Sequence, residues 1–327
     1  LVVGGAGYIG SHMVKDLLRA DYPVVTLDNL SRGHQSLLPG GEFVEGDMGN
    51  PEVLDGVFRQ YPISAVMHFA AHSQVGESVQ QPMMYYRNNV ANTITLLEAM
   101  QRAGVNHFIF SSSAAVYGEP EKTPIDEAHP RAPTNPYGMT KLMVEHILHD
   151  VSARTDLSYC SLRYFNAAGA DISGDIGERH EPETHLIPLV LQVATGERES
   201  IRIFGDDYPT PDGTCLRDYI HVSDLTQAHL LALESLLEGG DSATYNLGNS
   251  TGYSVKQIIE AARRITGHAI PAVTAGRRAG DPAELVADSS LVRERLGWQP
   301  RYETIEDIIQ TAWTWHQKEA ATKGSQL

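Results

Sequence analysis

The chain has 327 residues, of which 25 are basic and 41 acidic, so its formal net charge is −16. A negative protein repels the phosphate backbone of nucleic acids, and the sequence has no run of basic residues, so we expect no nucleic-acid partner. No apolar run reaches the length of about 18 residues that would span a membrane, so we expect no membrane partner. The length allows one large α/β domain and a smaller one.

The two cysteines, Cys160 and Cys215, lack the spacing of a metal site, and we expect free thiols rather than a disulfide. The chain begins directly in a predicted strand and shows no secretory signal, which predicts a cytoplasmic protein. We also expect that a few residues of this first strand precede Leu1.

The chain opens on a predicted strand, a glycine-rich turn and an amphipathic helix. In the spacing of Gly4, Gly7 and Gly10, the first glycine makes a tight turn, the second admits a pyrophosphate and the third lets helix and strand pack closely. The helix N-terminus adds partial positive charge for the phosphates. The next strand ends in Asp28, where a carboxylate can accept both hydroxyls of an adenosine ribose. The pattern predicts a dinucleotide site and favours NAD over NADP.

Strand-like and helix-like segments alternate through the first half of the chain. The apolar segments predicted as buried strands are Val24–Asp28, Phe43–Asp47, Ile63–Ala70, His107–Ser111 and Ser158–Phe165. Helical patterns lie between them, at Pro51–Gln60, Met83–Ala103 and Pro136–Ser152. This alternation predicts an α/β fold, a Rossmann-type doubly wound parallel sheet with helices on both faces. Ligands of such sheets bind at the carboxyl ends of the strands.

The second half of the chain is less regular. Ala167–Glu183 and Gly205–Asp218 are predicted as substrate-binding loops, with short apolar segments at Leu186–Ala194 and Ile201–Phe204. The remaining predicted elements are a helix and strand that return to the sheet, Asp218–Glu238 and Thr244–Leu247, and three helices, Val255–Ile265, Ser289–Leu296 and Thr304–Trp315. We therefore expect an NAD-binding domain of residues 1–165 plus about 219–250. A smaller C-terminal α/β lobe, about 166–218 plus 251–327, is expected to bind substrate.

Tyr137 and Lys141 form a Tyr-x-x-x-Lys pattern near the start of a predicted helix. Spacing i, i+4 puts both side chains on one helix face. A phenol titrates near pH 10, and a neighbouring ammonium together with an oxidised nicotinamide ring can favour the phenolate at neutral pH. The serines Ser111-Ser112-Ser113 close the predicted strand His107–Ser111, and a serine there can pass a proton between a sugar hydroxyl and Tyr137. The pattern alone is common by chance, and its combination with the glycine-rich turn indicates catalysis.

Several motifs give the chain a resemblance to the extended short-chain dehydrogenase/reductase family and, more narrowly, to its UDP-glucose (UDP-galactose) 4-epimerases. They run over nearly the whole chain and include Gly4–Gly10 (GGAGYIG), Ser111–Gly118 (SSSAAVYG), Tyr137–Lys141 (YGMTK), Arg163–Asn166 (RYFN) and Arg217–Val222 (RDYIHV). The resemblance implies interconversion of UDP-galactose and UDP-glucose through a 4-keto intermediate, with transient hydride transfer to tightly bound NAD. It also implies a homodimer formed through helices within Met83–Ala103 and Leu142–Ser152.

The resemblance also implies roles for individual residues. Tyr137 is the acid/base, Lys141 tunes it and holds the nicotinamide ribose, and Ser113 is the partner hydroxyl. The cofactor set is Gly4, Gly7, Tyr8, Ile9, Gly10, Asp28, Asn29, Asp47, Met48, Phe69, Ala70, Ala71, Asn88, Ser111, Tyr137, Lys141 and Phe165. The set for the UDP-sugar is Ser113, Tyr137, Asn166, His185, Leu186, Phe204, Arg217, Tyr219, Arg278 and Asp281. His185 stands where other members have an asparagine.

The alternative functions differ in the substrate, in the reaction or in the class of protein. Ala114 and Ala115 replace the acidic residues with which related dehydratases and decarboxylases assist their reactions, which argues against elimination. Leu285, at a position that gates the 2-substituent in this family, suggests that an N-acetylated sugar is admitted; a UDP-pentose epimerase and a one-way reductase remain open. A catalytically silent NAD-binding regulator is the alternative from another class. His68 and His72 have a zinc-like spacing but straddle a strand end, so no metal site is predicted.

Overall fold

The computed structural model describes residues 1–278 and 281–324. Within them the strands are β1 (Val2–Val3), β2 (Val25–Asp28), β3 (Glu42–Glu45), β4 (Ala65–His68), β5 (His107–Ser113), β6 (Ser158–Tyr164), β7 (Asn166–Ala168), β8 (Ile201–Phe204), β9 (Leu216–His221), β10 (Ala243–Leu247), β11 (Gly252–Ser254), β12 (Ala272–Ala275) and β13 (Glu284–Leu285). The helices are α1 (Tyr8–Arg19), α2 (Pro51–Gln60), α3 (Val75–Gln80), α4 (Pro82–Tyr85), α5 (Asn92–Ala103), α6 (Pro136–Ser152), α7 (Leu186–Ala194), α8 (Val222–Leu237), α9 (Val255–Thr266), α10 (Ser290–Leu296) and α11 (Ile305–Gly324).

The main sheet has seven parallel strands in the order β10-β6-β5-β4-β1-β2-β3. The strand order reverses at β1, which pairs with β2 through Val2↔Thr26 and with β4 through Val2↔Met67. This is the topology of a Rossmann-type sheet, and it confirms the predicted fold class. Because the strands are parallel, the segments that follow β1, β2, β4 and β5 meet at one edge of the sheet.

Helices cover both faces of this sheet, as its buried strands require. On one face, Ile109 of β5 shares an apolar cluster with Met13 of α1 and Leu225 of α8. On the other, its neighbours Phe108 and Phe110 pack with residues of α2, α5 and α6. The alternation of Phe108, Ile109 and Phe110 between clusters follows the two-residue period of a strand.

A second apolar cluster is formed by α7, α9 and α11 with residues of β7, β8 and β9. In this part of the chain β9 pairs with β7, β11 and β13, and β8 pairs with β12. Among the described helices, none has both the length and the apolar character needed to cross a bilayer.

Three predicted helices differ from the structure, and one of them, Thr304–Trp315, continues to Gly324 in α11. Asp218–Glu238 was expected as one helix, but Asp218–His221 belong to β9 and the helix begins at Val222. Strand pairing with β7 and β11 determines this boundary, and those contacts are distant in sequence. Met83–Ala103 is divided into α4, a π-helical stretch at Tyr86–Ala91, and α5. Both helices that begin with proline, α2 and α6, have their predicted bounds.

Candidate active site

Side chains are excluded at Gly4, in the turn between β1 and α1, and at Gly10, in the first turn of α1. Gly4 has a φ of +78°, and a Cβ atom there would lie 2.5 Å from the backbone nitrogen of Ala70. A Cβ at Gly10 would lie 2.2 Å from the carbonyl oxygen of Gly4. Gly7 is the N-cap of α1 and provides no side-chain cap, so no side chain at this position accepts from the N–H groups of the first turn. An open turn before an uncapped helix N-terminus fits the pyrophosphate of a dinucleotide.

Asp28 lies at the carboxyl end of β2, beside this turn. Its Oδ2 accepts a hydrogen bond from Ala6 N at 2.9 Å, and its Oδ1 accepts one from Leu30 N at 2.8 Å. Burial raises the pKa of Asp28, and these two backbone bonds oppose the rise. Each carboxylate oxygen has capacity for a further hydrogen bond, so the position fits recognition of ribose hydroxyls.

Asn29 and Asp47 extend this edge toward the end of β3. Asn29 Nδ2 donates to Asp47 Oδ2 at 2.7 Å, and Gly49 N donates to Asp47 Oδ1 at 2.7 Å. Met48, which lies between Asp47 and Gly49 in the sequence, is buried. The structure therefore brings these three predicted cofactor residues together beside Asp28.

Tyr8 and Ile9 occupy the first turn of α1, and both side chains turn toward protein. Tyr8 is buried, and its hydroxyl donates to the carbonyl oxygen of Gly169 at 2.6 Å. Burial and the nearby carboxylates of Glu178 and Glu183 raise the pKa of Tyr8. Ile9 packs against the core beneath α1. The Tyr8 side chain thus connects the glycine-rich turn to the segment after β7.

The end of β4 contributes the predicted residues Phe69, Ala70 and Ala71. Ala70 N donates to Val3 O at 3.1 Å, which places it against the glycine-rich turn. The ring of Phe69 lies 4.9 Å from that of His229. Ala71 follows directly in the same segment.

Asn88 lies in the π-helical stretch, and its Nδ2 donates to Asn89 Oδ1 at 2.9 Å. Asn89, which sequence reasoning missed, is buried and bonds both backbone N and O of His72 at 2.9 Å. It also donates to Thr140 Oγ1 of α6 at 3.1 Å. Asn89 therefore fixes the segment after β4 against the helix that carries Tyr137.

The predicted catalytic residues converge at the end of β5. Lys141 Nζ donates to the carbonyl oxygen of Ser111 at 2.7 Å, and it lies 5.9 Å from the centre of the Tyr137 ring. The Ser113 side chain lies near Tyr137 and acts to lower the pKa of its hydroxyl. Asn135 caps α6 by accepting from Gly138 N at 2.9 Å, which fixes the first turn containing Tyr137.

The electrostatics of this group differ from the expectation for Tyr137. In the protein alone the pKa of Tyr137 is raised rather than lowered, because burial outweighs the opposing effect of the nearby Ser113 hydroxyl. Burial also lowers the pKa of Lys141 to about 7, with the Glu145 carboxylate opposing the shift. Positive charge that a bound ligand adds near Tyr137 would act in the opposite direction and favour the phenolate.

Two further features at this position were missed from the sequence. Tyr164, next to Ser113 across β5 and β6, forms a short hydrogen bond with Ser111 Oγ. Arg163 and Glu145 form a buried bidentate pair, with N–O distances of 2.8 and 2.6 Å. Ser112 Oγ also donates to Glu145 at 2.6 Å. The pair therefore anchors the strand end that supplies the serines.

Four predicted substrate residues, on β8, β9 and the segment before β13, contact one another in two pairs. The guanidinium of Arg278 lies 4.0 Å from the centre of the Phe204 ring. Arg217 on β9 forms an ion pair with Asp281. These contacts unite a flat ring, two guanidinium groups and a carboxylate, groups that suit a base, a diphosphate and a ribose.

Asn166 and Tyr219 are neighbours in register on β7 and β9, next to Arg217. Phe165 packs with Ala114 and Leu285 near the end of β5. His185 and Leu186 lie at the start of α7, where His185 is the N-cap and its Nδ1 lies 2.7 Å from Glu178 Oε1. The two nearby carboxylates raise the pKa of His185 to about 10.

The chain is similar to known proteins over nearly its whole length. Residues 1–248 match the NAD dependent epimerase/dehydratase family. UDP-glucose 4-epimerase of Halalkalibacterium halodurans is 54% identical over 318 residues, 97% of this chain and 95% of the relative. The crystal structure of UDP-glucose 4-epimerase from Brucella ovis in complex with NAD has a TM-score of 0.93 at 50% identity, covering 95% of this chain and 96% of that one. The Bifidobacterium longum enzyme in complex with NAD+ and UDP has a TM-score of 0.93 at 39% identity, covering 98% of both chains.

Proposed function

Because the chain belongs to the NAD dependent epimerase/dehydratase family, we propose that it is an NAD-dependent isomerase that interconverts UDP-galactose and UDP-glucose. The observation that carries the proposal is the placement of Tyr137, Ser113 and Lys141 at one strand end. That strand, β5, is separated from the glycine-rich turn after β1 only by β4. An acid/base group therefore lies at the edge of the sheet where a dinucleotide binds.

The residues present fit NAD. Gly4 and Gly10 allow a close approach of backbone segments in the turn that a Cβ would block, and Asp28 presents carboxylate oxygens at the end of β2. When bound, NAD would supply the hydride acceptor for carbon 4 of the sugar and, in its oxidised form, a positive charge that favours the Tyr137 phenolate.

The protein's own side chains then handle the proton and the position of the sugar. Tyr137 takes the proton of the sugar 4-hydroxyl, directly or through Ser113, and returns it after the 4-keto sugar has turned over. Lys141 is fixed near Tyr137 by its bond to Ser111 O at 2.7 Å. Both faces of carbon 4 must reach the same hydride acceptor, so the sugar must be held loosely and binding energy concentrated on the UDP part. Arg217, Arg278 and Phe204 are assigned to that part.

The proposed division of the chain follows the same logic. Residues 1–165 with about 219–250 hold the cofactor, and about 166–218 with 251–327 hold the UDP-sugar. Support comes from the separate apolar clusters of the main sheet and of α7, α9 and α11. For the compartment we propose the cytoplasm, where the two buried cysteines, Cys160 and Cys215, would stay reduced.

We also propose a homodimer formed through the helices near α4, α5 and α6. Large apolar side chains are exposed there: Met83 is 74% exposed, Ile94 40% and Met143 40%. Covering such side chains favours association. Light scattering on the wild type and on the Met143→Glu variant tests this; a monomeric wild type would contradict it.

The function is tested by incubating the purified protein with UDP-galactose, without added cofactor, and assaying UDP-glucose. Product together with NAD released on denaturation is the expected result. Parallel reactions with UDP-N-acetylgalactosamine and a UDP-pentose measure the range of sugars. They test the expectation for Leu285, which, like Phe165, packs against the apolar cluster that contains Ala114. Absence of turnover on every sugar, with NAD bound, would favour the silent regulator.

A further inference from the structure

Four potential metal ligands lie together on the segment between β7 and α7. The donor atoms of Glu178, His180, Glu183 and His185 are all within 4.8 Å of one another. His185 Nδ1 lies 2.7 Å from Glu178 Oε1 and 2.9 Å from Glu183 Oε1. His180 Nδ1 lies 3.0 Å from Glu178 Oε1 and 3.8 Å from Glu183 Oε2. The four side chains therefore converge on one point.

The two carboxylates of this cluster are withdrawn from water. The side chains of Glu178 and Glu183 are only 7% and 6% exposed. Within the described ranges neither carboxylate forms an ion pair with a lysine or an arginine; the ion pairs found are with His180 and His185. Buried carboxylates need a compensating cation. That cation is either the protonated histidines or a metal ion.

We propose that Glu178, His180, Glu183 and His185 bind one divalent first-row transition-metal ion, with Zn²⁺ as the preferred ion. Metal–ligand bonds of about 2.0–2.1 Å in a tetrahedron place ligand atoms about 3.4 Å apart. The His–Glu separations run from 2.7 to 3.8 Å, and all four donor atoms lie within 4.8 Å of one another, so side-chain shifts of about an ångström or less would admit the ion. Two imidazoles favour a transition metal over Mg²⁺ or Ca²⁺, which prefer all-oxygen sites.

The carboxylate of Glu183 is already oriented for this role. Its Oε1 accepts hydrogen bonds from Thr184 N at 2.7 Å and His185 N at 2.8 Å. Its other oxygen, Oε2, lies 3.8 Å from His180 Nδ1 and is then the one available to the ion, which would replace the contact of Oε1 with His185 Nδ1. Backbone donors that hold a ligating carboxylate are a regular part of the surroundings of metal sites.

The place of the cluster indicates a structural ion. All four ligands come from the protein, which is the composition of a closed site rather than of a catalytic one. The ring of His180 lies 6.3 Å from that of Tyr8, whose hydroxyl connects the glycine-rich turn to Gly169. Trp315 Nε1 donates to Glu178 O at 3.0 Å. The ion would therefore fix the segment packed against the glycine-rich turn and the start of α7.

The test uses the whole protein, dialysed against a chelator and then titrated with ZnCl2 by calorimetry, with metal analysis after gel filtration. We expect about one Zn²⁺ per chain, a higher melting temperature with Zn²⁺, and weaker binding of Mg²⁺ and Ca²⁺. His180→Gln and Glu183→Gln should each weaken Zn²⁺ binding by at least about tenfold. The matched control is His149→Gln, since His149 is exposed on α6, and it should bind as the wild type does.

These readouts do not depend on turnover of any sugar nucleotide, so they are separate from the test of the proposed function. Circular dichroism of the metal-free variants establishes that they fold. Failure of the folded wild type to bind Zn²⁺ would overturn the proposal. So would Zn²⁺ binding that His180→Gln and Glu183→Gln leave unchanged, because the ion would then lie elsewhere.

Discussion

Lys141 Nζ donates a 2.7 Å hydrogen bond to the carbonyl oxygen of Ser111, so a residue of α6 is fixed to the end of the strand β5. Ser113 follows on the same strand and lies near Tyr137, which is one helical turn before Lys141. The helix and the strand thus hold the three groups in one arrangement. Burial also brings the pKa of Lys141 down to about 7, so its charge is sensitive to pH near neutrality.

Replacing Tyr137 by phenylalanine removes the acid/base hydroxyl and keeps the ring. We expect kcat to fall by about 100- to 10,000-fold, the usual contribution of general acid–base catalysis. The melting temperature and the bound NAD should change little. Steady-state assays with UDP-galactose measure this, with Tyr61→Phe as the control, since among the described contacts the Tyr61 hydroxyl bonds only the exposed Gln60. Near-normal turnover in Tyr137→Phe would remove the assignment.

Lys141 makes the stability of the cofactor-free protein depend on pH. Its pKa is about 7 in the folded protein against 10.5 normally, so between these values the unfolded chain binds one more proton. The free energy of unfolding should therefore gain roughly 1.4 kcal/mol per pH unit as the pH rises through this window, and nothing below it. Lys141→Met removes this contribution.

Urea unfolding at pH 7, 8 and 9 measures the difference between wild type and Lys141→Met. The wild type should become progressively more stable relative to the variant. Lys122→Met is the control: Lys122 is exposed, and its bond to Asp126 raises its pKa, so its difference from wild type should stay flat over this range. A constant difference for Lys141→Met would show that Lys141 does not titrate there.

Two glycine-to-alanine substitutions separate steric exclusion from chain flexibility. A Cβ at Gly10 would lie 2.2 Å from Gly4 O, so Gly10→Ala should destabilise the protein by about 1–3 kcal/mol and lose NAD. At Gly56, inside α2, a Cβ meets nothing within 4 Å, so Gly56→Ala should stabilise by about 0.5–1 kcal/mol. Thermal unfolding measures the change in stability, and the NAD content of each purified variant measures cofactor binding. Equal effects of the two changes would contradict the tight turn.

The buried pair of Arg163 and Glu145 gives a prediction about stability. Arg163→Met leaves Glu145, which is 4% exposed, without its main partner, and should cost about 3–5 kcal/mol. The double variant Glu145→Leu/Arg163→Met should recover most of this loss. Breaking the exposed pair of Arg102 and Asp55 by Arg102→Met should cost less than about 1 kcal/mol. Denaturant unfolding compares them, and an equally unstable double variant would argue against charge burial as the cause.

Local signals in the sequence predicted the elements that local chemistry determines. Pro51–Gln60 and Pro136–Ser152 have their predicted bounds because asparagine caps, Asn50 and Asn135, precede a proline in the first turn. The glycine spacing likewise predicted a turn that a Cβ would block at Gly4 and Gly10.

Contacts distant in sequence explain what the sequence did not reveal. Asp218–His221 form a strand because β7 and β11 pair with them. The raised pKa of Tyr137 depends on burial by the folded protein. The cluster around His180 and His185 did carry a signal, Glu-x-His-x-x-Glu-x-His, but only the fold shows that these donors converge.

The most direct measurement uses UDP-galactose that carries deuterium at carbon 4. The purified protein is incubated with it in ordinary water without added cofactor, and the UDP-glucose formed is analysed by mass spectrometry and NMR. Hydride transfer to bound NAD and back predicts that the product keeps the deuterium at carbon 4. Product that has lost the deuterium to water would contradict the account, because inversion would then proceed by proton exchange.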